Sequence, residues 1–365
     1  MMDAFKLAEY TAPDFSESPL TGAPQAKWEP APLNTVAPDN YHALSIFPEY
    51  FHIGGRWLLA EESRMDCVAV FEENRIHVRE FRHLNKGDLV IVGRTEKAEE
   101  GIFVHNRGFH PRDTQTSDAF AFRQGRSRET AYSMDYDFLY KLLEHDRDNG
   151  HIVWVLGPAC AFDSDARTAF SKLVQNGYVD ALLAGNALAV HDLEGAYLQT
   201  ALGQDIYTQR IMPNGHYNHL DTINCIRRYG SIPAFIEAEG LKGGIIASCV
   251  EKNVPVVLVG SVRDDGPLPE VHANVYEGQD AMRIFTSQAT TVICLATTLH
   301  TIAAGNMTPS FRVMPGNVIR EVYFYTVDIS EFAVNKLADR GSLSARGIVT
   351  NVQDFIVTLS KGLGL

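Results

Sequence analysis

The sequence predicts an α/β protein: a parallel sheet with helices on both faces, together with a small β-rich N-terminal domain. Three observations carry that expectation. Short runs beyond residue 150 are wholly apolar. They alternate with longer stretches of helical periodicity. Residues 41–105 instead carry short β-prone segments separated by turns. Continuous apolar strands belong to a sheet covered on both faces, and their alternation with helices makes that sheet parallel.

Residues 1–40 are rich in Pro, Ala and acidic side chains and lack periodicity. They read as an arm, either loosely ordered or packed as an extended segment. The β-prone segments that follow are Trp57–Leu59, Asp66–Phe71, Ile76–Val78 and Asp88–Val92, with Asn85–Asp88 as a turn. Residues 106–130 are polar and contain the expected domain boundary. The organisation is therefore an arm over 1–40, a small β-rich substrate or oligomerisation domain over 41–130, and the α/β domain over 131–365. In the last, Tyr136–His145, Phe162–Gln175, Leu220–Tyr229 and Ser330–Ala338 have helical spacing. The strands are His151–Leu156, Val179–Ala184, Val254–Val259, Thr291–Ala296 and Glu321–Val327, with a further short run at Ile348–Thr350.

Composition narrows the function. Of 365 residues, 45% are hydrophobic and 21% charged, the balance of an ordinary globular chain. The net charge of −13 leaves no broad basic face for nucleic acid and nothing for an anionic membrane surface. A small molecule, cationic in character, is the expected partner. The cysteines (Cys67, Cys160, Cys225, Cys249 and Cys294) are scattered, odd in number and free of any C-x-x-C. That argues against a disulfide framework and a structural zinc site, and for buried thiols in a reducing compartment. No run approaches a membrane span, and the first residues do not read as a secretory signal. The cytoplasm is the expected location.

Ligands of such a sheet bind outside the carboxyl ends of its strands. Those ends carry Gly157-Pro158-Ala159, Gly185-Asn186-Ala187 with His191 and Asp192 in the next turn, Gly260–Pro267, Thr297–His300, Asp328, and Asn351-Val352. The motifs G-x-G-x-x-G, G-x-x-x-x-G-K-[ST], H-E-x-x-H and G-x-S-x-G are all missing. P-loop enzymes, zincins and α/β-hydrolases are thereby disfavoured. A dinucleotide is not, because helix N-termini and one ribose-binding carboxylate can hold it. Asp328 stands where that carboxylate belongs, and a helix N-cap is the alternative reading. His216 and His219, within Gly215–Asp221, could serve acid/base chemistry, a metal, or a structural helix entry. No metal site is expected.

The stretches AGNALAVHD (184–192), GHYNHLDTIN (215–224), VLVGSVRDDGPLPEV (257–271), LATTLHTIAAGNMTPS (295–310), VDISEFAVNKLADRG (327–341) and IVTNV (348–352) form an ordered series. They closely resemble the archaeal-type ornithine cyclodeaminase family. That family is also described as the lysine-oxoglutarate reductase/saccharopine dehydrogenase bifunctional conserved region, and as the C-terminal module of cyanobacterial arginine-degrading fusion enzymes. The resemblance covers nearly all of 150–355 and, more weakly, 38–105. It implies an NAD-binding domain like that of deoxyhypusine synthase, with tightly held NAD. Carried over by motif, the cofactor contacts are Asn186, Ala187, Asp265, Thr297, Thr298, Leu299, His300, Asp328, Asn351 and Val352. Two departures stand out. Residues 105–135 lack the family's Ser-rich segment followed by Arg-Pro-Lys, and FRVMPGNVIR (311–320) lengthens the loop before the fifth strand. Both are expected near the active-site mouth.

The activity so implied turns L-ornithine into L-proline and ammonia, within ornithine and arginine metabolism, with no net redox change. Its site needs a cation for the substrate carboxylate, for which Arg263, Arg340 and Lys336 are available. It also needs a base and acidic groups for a dicationic substrate. His219, Asp264 and Lys336 are the expected catalytic residues. Lys336 and Arg340, four apart beside Asp339, equally suit a surface ion-pair network, and Asp264 could cap a helix. Two other readings stay open: a different NAD-dependent amino-acid or imine oxidoreductase, and a non-catalytic NAD-binding regulator of nitrogen metabolism. A homo-oligomer, dimer or tetramer, is expected.

Overall fold

The computed structural model describes residues 5–109, 129, 131–262, 264, 266–338 and 342–365. The chain divides into two compact units, one from residues 1–122, 306–323 and 341–344, the other from 123–305, 324–340 and 345–365.

The first unit is β-rich. Its strands are β1 (Lys27–Pro30), β2 (Glu49–Ile53), β3 (Arg56–Leu59), β4 (Val68–Glu72), β5 (Arg75–Arg79), β6 (Leu89–Val92) and β7 (Ile102–Val104). They form a sheet of order β1-β6-β4-β5 and another of order β3-β2-β7. Phe51, Ile91 and Ile102 are sealed in its core.

The second unit holds α1 (Ser133–Asn149), β8 (Ile152–Leu156), α2 (Ser164–Gln175), β9 (Ala181–Gly185) and α3 (Asn186–Leu198). A small hairpin follows, β10 (Thr200–Ala201) with β11 (Gln204–Asp205). Then come α4 (Asn218–Tyr229), α5 (Ile232–Ala238), α6 (Ile245–Lys252), β12 (Val256–Val259), β13 (Val271–His272), α7 (Val275–Thr286), β14 (Thr291–Leu295) and α8 (Thr298–Met307). After a hairpin of β15 (Phe311–Met314) and β16 (Val318–Glu321), the chain ends in β17 (Tyr323–Asp328), α9 (Glu331–Ala338), β18 (Ser344–Val349) and α10 (Val352–Gly362). The main sheet has the order β13-β12-β9-β8-β14-β17-β18, and β8 pairs in parallel with both β9 and β14.

Every residue of β8 and β14 is buried, which is why these strands read as unbroken apolar runs. Local chemistry sets the helix ends. The Asp163 carboxylate accepts the Ala166 N–H at 2.8 Å to start α2. The Asn351 side chain accepts the Gln353 and Asp354 N–H groups to start α10. Gly230, at φ 80°, closes α4 in the left-handed conformation that glycine adopts without strain. Helix α3 had no periodic signature because most of its length is buried around the whole circumference.

The structure chooses between the two readings of the arm and changes the expected outline in two places. The arm is the packed extended segment. Its β1 pairs antiparallel with β6, and the Tyr10 hydroxyl lies 2.7 Å from that of Tyr50 and 2.9 Å from His105 Nδ1. The extension at 311–320 is not a loop but the β15–β16 hairpin, turned by Gly316 and Asn317, both at positive φ. That hairpin groups with the first unit, so a boundary at 130 does not separate the units by sequence alone. Most of the polar stretch 106–130 lies outside the described residues. No described helix is long and apolar enough to cross a membrane.

Candidate functional site

From β8 the chain steps outward through β9, β12 and β13, then returns to the other side of β8 as β14. The strand order reverses between β8 and β14, and ligands of open parallel sheets bind at that reversal. A cleft of about 420 Å³ opens there, lined by Gly157, Gly185, Asn186, Asp264, Thr297 and His300 among others.

Three helical segments begin on this cleft. A 3-10 turn starts at Pro158 after Gly157, α3 starts at Asn186 after Gly185, and α8 starts at Thr298. Neither Gly157 nor Gly185 offers a capping side chain; Pro158 has no N–H and the Cys160 N–H bonds the Gly157 carbonyl at 3.2 Å, so the 3-10 turn presents the Ala159 N–H, while α3 presents its first-turn N–H groups. Helix N-termini carry partial positive charge and bind phosphate groups. Space restricts both glycines, Gly157 against backbone and Gly185 against the tip of one side chain. A Cβ on Gly157 would stand 2.0 Å from the Ala296 carbonyl oxygen, and one on Gly185 would stand 2.9 Å from His300 Cε1. The floor is thus bare backbone, as close approach of a pyrophosphate demands. This donor set fits a dinucleotide.

The side chains divide into walls and polar groups. Phe162, Leu188, Ile223 and Leu299 supply apolar wall. The buried Asn186 side chain accepts the Leu268 N–H at 3.0 Å and donates to the Gly266 carbonyl at 3.3 Å. Its amide therefore anchors the loop after β12, and its backbone serves the cleft. The Asp264 carboxylate accepts the Ser261 N–H at 2.8 Å while lining the cleft, so the capping reading of Asp264 holds for a loop turn, not for a helix. Burial pushes the His300 imidazole below its ordinary pKa, and the neighbouring Asp264 charge opposes that shift in part. Cys160, just beyond Gly157, is fully buried, and its thiol is pushed up to about 12. It is a packing residue, not a nucleophile.

Of the expected catalytic residues, His219 and Asp264 meet in the cleft. Lys336 does not line it. That side chain is exposed on α9 with its ammonium 5.7 Å from the Phe332 ring. Of the expected cofactor contacts, Asn186, Ala187, Thr297, Leu299 and His300 line the cleft, and Thr298 opens α8 beside them. Asp328, Asn351 and Val352 lie at the ends of β17 and β18, on the β14 side of the sheet. The Asp328 carboxylate accepts the Ser330 N–H at 2.8 Å. Arg263, Asp265 and Arg340 lie outside the described residues.

Sequence reasoning gave no role to His191 and Glu194. The His191 ring lines the cleft, 6.3 Å from the His219 ring between centroids, and its Nδ1 lies 3.1 Å from Glu194 Oε2. The signal was present, since a histidine and a carboxylate three apart on one helix are neighbours. His216, by contrast, is exposed, its ring tilted against that of Tyr217 at 4.3 Å between centroids.

Comparison with known proteins gives a consistent result. Residues 138–359 match the family region described as "Arginine dihydrolase ArgZ-like, C-terminal, Rossmann fold", and residues 48–130 match that family's C-terminal first region. A curated relative, the ornithine cyclodeaminase of Methanocaldococcus jannaschii, is 37% identical over 350 residues, covering 93% of this chain and 78% of its own. The crystal structure of a conserved LOR/SDH protein from Methanococcus maripaludis superposes with a TM-score of 0.84 at 34% identity, covering 93% of this chain and 98% of that one. The ternary complex of AgrE with ornithine and NAD+ superposes with a TM-score of 0.59 at 32% identity, covering 94% of this chain and 46% of that one. AgrE is the name of the bifunctional arginine dihydrolase/ornithine cyclodeaminase of Nostoc sp..

Proposed function

This chain belongs to the ArgZ-like C-terminal family, and from that premise we propose that it is an NAD-dependent ornithine cyclodeaminase, converting L-ornithine to L-proline and ammonia. The observation that carries the proposal is the cleft at the strand reversal. It joins helix N-termini and glycine backbone to three imidazoles, of His191, His219 and His300, and the Asp264 carboxylate. The AgrE complex with ornithine and NAD+ supports the same pairing of ligands.

When bound, NAD supplies the acceptor and donor of one hydride. The N-termini of α3, of α8 and of the turn at Pro158 would hold the pyrophosphate. Asp328 would take a ribose, and the Asn351–Val352 start of α10 would offer backbone amides nearby. The reaction has no net oxidation, so the hydride removed from the substrate Cα must return within one turnover. The chain's own groups then have three tasks. Asp264 offers negative charge to a substrate with two amines, both cationic at neutral pH. The imidazoles accept and return amine protons. Phe162, Leu188, Ile223 and Leu299 exclude water that would otherwise hydrolyse an imine.

Deuterium placed on the α-carbon of ornithine should reappear at the α-carbon of proline. Proline and ammonia should form in equal amounts, without accumulation of NADH and without added NAD if the cofactor stays bound. NADH growing one-for-one with substrate consumed would replace this reading with that of an ordinary dehydrogenase. Bound NAD with no turnover of any amine would point to a regulator.

The place of Asp328 gives a second test. Asp328→Ala should weaken NAD binding by about 1.5–3 kcal/mol, the loss of a charge-assisted hydrogen bond. Were the carboxylate only the partner of the Ser330 N–H, melting would shift by about 1 kcal/mol and NAD affinity would hold. Calorimetry and thermal melts on one variant separate the two outcomes.

A further inference from the structure

We propose that Glu194 fixes the tautomer of His191, and that His191, so oriented, is the proton carrier of the cleft. The inference rests on the deamination read above and assigns its acid/base step.

Glu194 is wholly buried on the third turn of α3. Its carboxylate sits among four groups. Thr200 Oγ1 donates to Oε1 at 2.8 Å, and the Gly203 N–H donates to the same oxygen at 3.3 Å. The Leu202 N–H donates to Oε2 at 3.3 Å, and His191 Nδ1 lies 3.1 Å from that oxygen. Two of the four are backbone N–H groups that can only donate. An ionised carboxylate accepts from all four partners. A protonated one would have to turn its hydrogen toward Nδ1 while surrounded by donors. The ionised form is therefore the satisfied one, and it requires a hydrogen on Nδ1.

In neutral imidazole that leaves a lone pair on Nε2. Among the described residues no group pairs with Nε2, nor is that atom among the sealed, unsatisfied ones. The ring lines the cleft, between the edge of Phe162 at 5.5 Å and His219 at 6.3 Å, both between ring centroids. The nitrogen left without a hydrogen thus belongs to a ring of the cleft wall that has a buried carboxylate behind it. This is the logic by which a buried carboxylate orients a catalytic histidine. In the proposed step, an N–H bond of the substrate ammonium breaks, its electron pair stays on nitrogen, and an Nε2–H bond forms. That proton later passes to the α-nitrogen as it departs as ammonia. Glu194 is a positioning residue, and His191 is the group that touches substrate.

The structural alternative is that Glu194 merely pins the β10–β11 hairpin to α3 through Thr200, Leu202 and Gly203. The test separates the two by spectroscopy and by kinetics. With 15N-labelled histidine, the His191 resonances of the wild-type protein should show hydrogen on Nδ1 and none on Nε2. Glu194→Gln keeps the shape but presents an amide, whose N–H would donate to Nδ1 and move the hydrogen to Nε2. His191→Gln should lower kcat for ornithine by about 10²–10⁴-fold, the usual contribution of a general base, with KM and NAD affinity within about threefold. Hydrogen on Nε2 in the wild type would overturn the inference and leave the deamination reading standing. So would a His191→Gln enzyme of undiminished kcat. If the wild type turns over no ornithine while the Nδ1 tautomer is found, the deamination reading falls, and the catalytic role of His191 falls with it. The tautomer measurement needs no folded variant.

Discussion

Replacing Asp192 by alanine should cost about 3–5 kcal/mol of stability, the penalty for leaving one member of a buried ion pair alone. The Asp192 carboxylate is fully buried and accepts Arg167 Nε at 2.8 Å, the Ile245 N–H at 3.0 Å and the Ile246 N–H at 2.8 Å. Arg167 Nη2 also donates to the Asp192 carbonyl at 2.8 Å. One carboxylate thus ties α2 and the start of α6 to α3. Its removal strands a guanidinium and two backbone donors where water cannot reach them. At roughly 2–4 °C per kcal/mol for a unit of this size, the melting temperature should fall by on the order of 10 °C. The double variant Arg167→Leu, Asp192→Ala should recover part of the loss but not all, because the two N–H groups at the α6 start stay unpaired. A single variant melting within about 2 °C of wild type would mean that the knot contributes little beyond packing.

A second effect on ligand binding is expected at Gly157. Gly157→Ala should weaken NAD binding about tenfold or more, equivalent to 1.4 kcal/mol. The new methyl would meet the Ala296 carbonyl oxygen at 2.0 Å and its carbon at 2.7 Å. Neither can rotate away, since the Gly157 N–H bonds the Leu295 carbonyl at 2.8 Å and the Ala296 N–H bonds the Val327 carbonyl at 3.0 Å. The ends of β8 and β14 must separate, and the 3-10 turn and α8 that frame the cleft move with them. Overpacking of this kind costs about 1–3 kcal/mol. Gly230→Ala is the control. Its φ is positive, yet no atom lies within 4 Å of the added methyl. It should lose about 1–2 kcal/mol of stability through backbone strain and keep its NAD affinity. Equal NAD affinity in Gly157→Ala and wild type would place the nucleotide elsewhere.

Much of the architecture was legible because burial leaves a simple trace. Strands β8, β9, β12, β14 and β17 fall within about two residues of their apolar runs. A strand covered on both faces has no polar side to confuse the reading. The carboxyl-end rule then selected the loops at 157, 185, 264 and 297–300, which the cleft brings together. The helices α3 and α8 were less legible. Mostly buried turns and a start beside the ligand space produce no amphipathic stripe. The hairpin at 311–321 was missed because its alternation is short and its turn, Pro315-Gly316-Asn317, reads equally well as a loop.

By itself the sequence determined the class of fold, the edge of the sheet where the cleft opens, and the family whose motifs occupy that edge. Which charged side chains line the cleft was decided only by tertiary structure. Lys336 and His219 are both chemistry-bearing residues on helices, yet one lies exposed on α9 and the other enters the cleft. Asp192 and Glu194 are two residues apart on one buried helix, and nothing in their spacing distinguishes them. Asp192 faces Arg167 and the start of α6, and becomes a structural tie. Glu194 faces the turn at 200–203 and the His191 ring beside the cleft. A helix sends successive side chains about 100° apart around its axis. What a carboxylate does is therefore set by the element packed on its own side, and only the folded chain supplies that element.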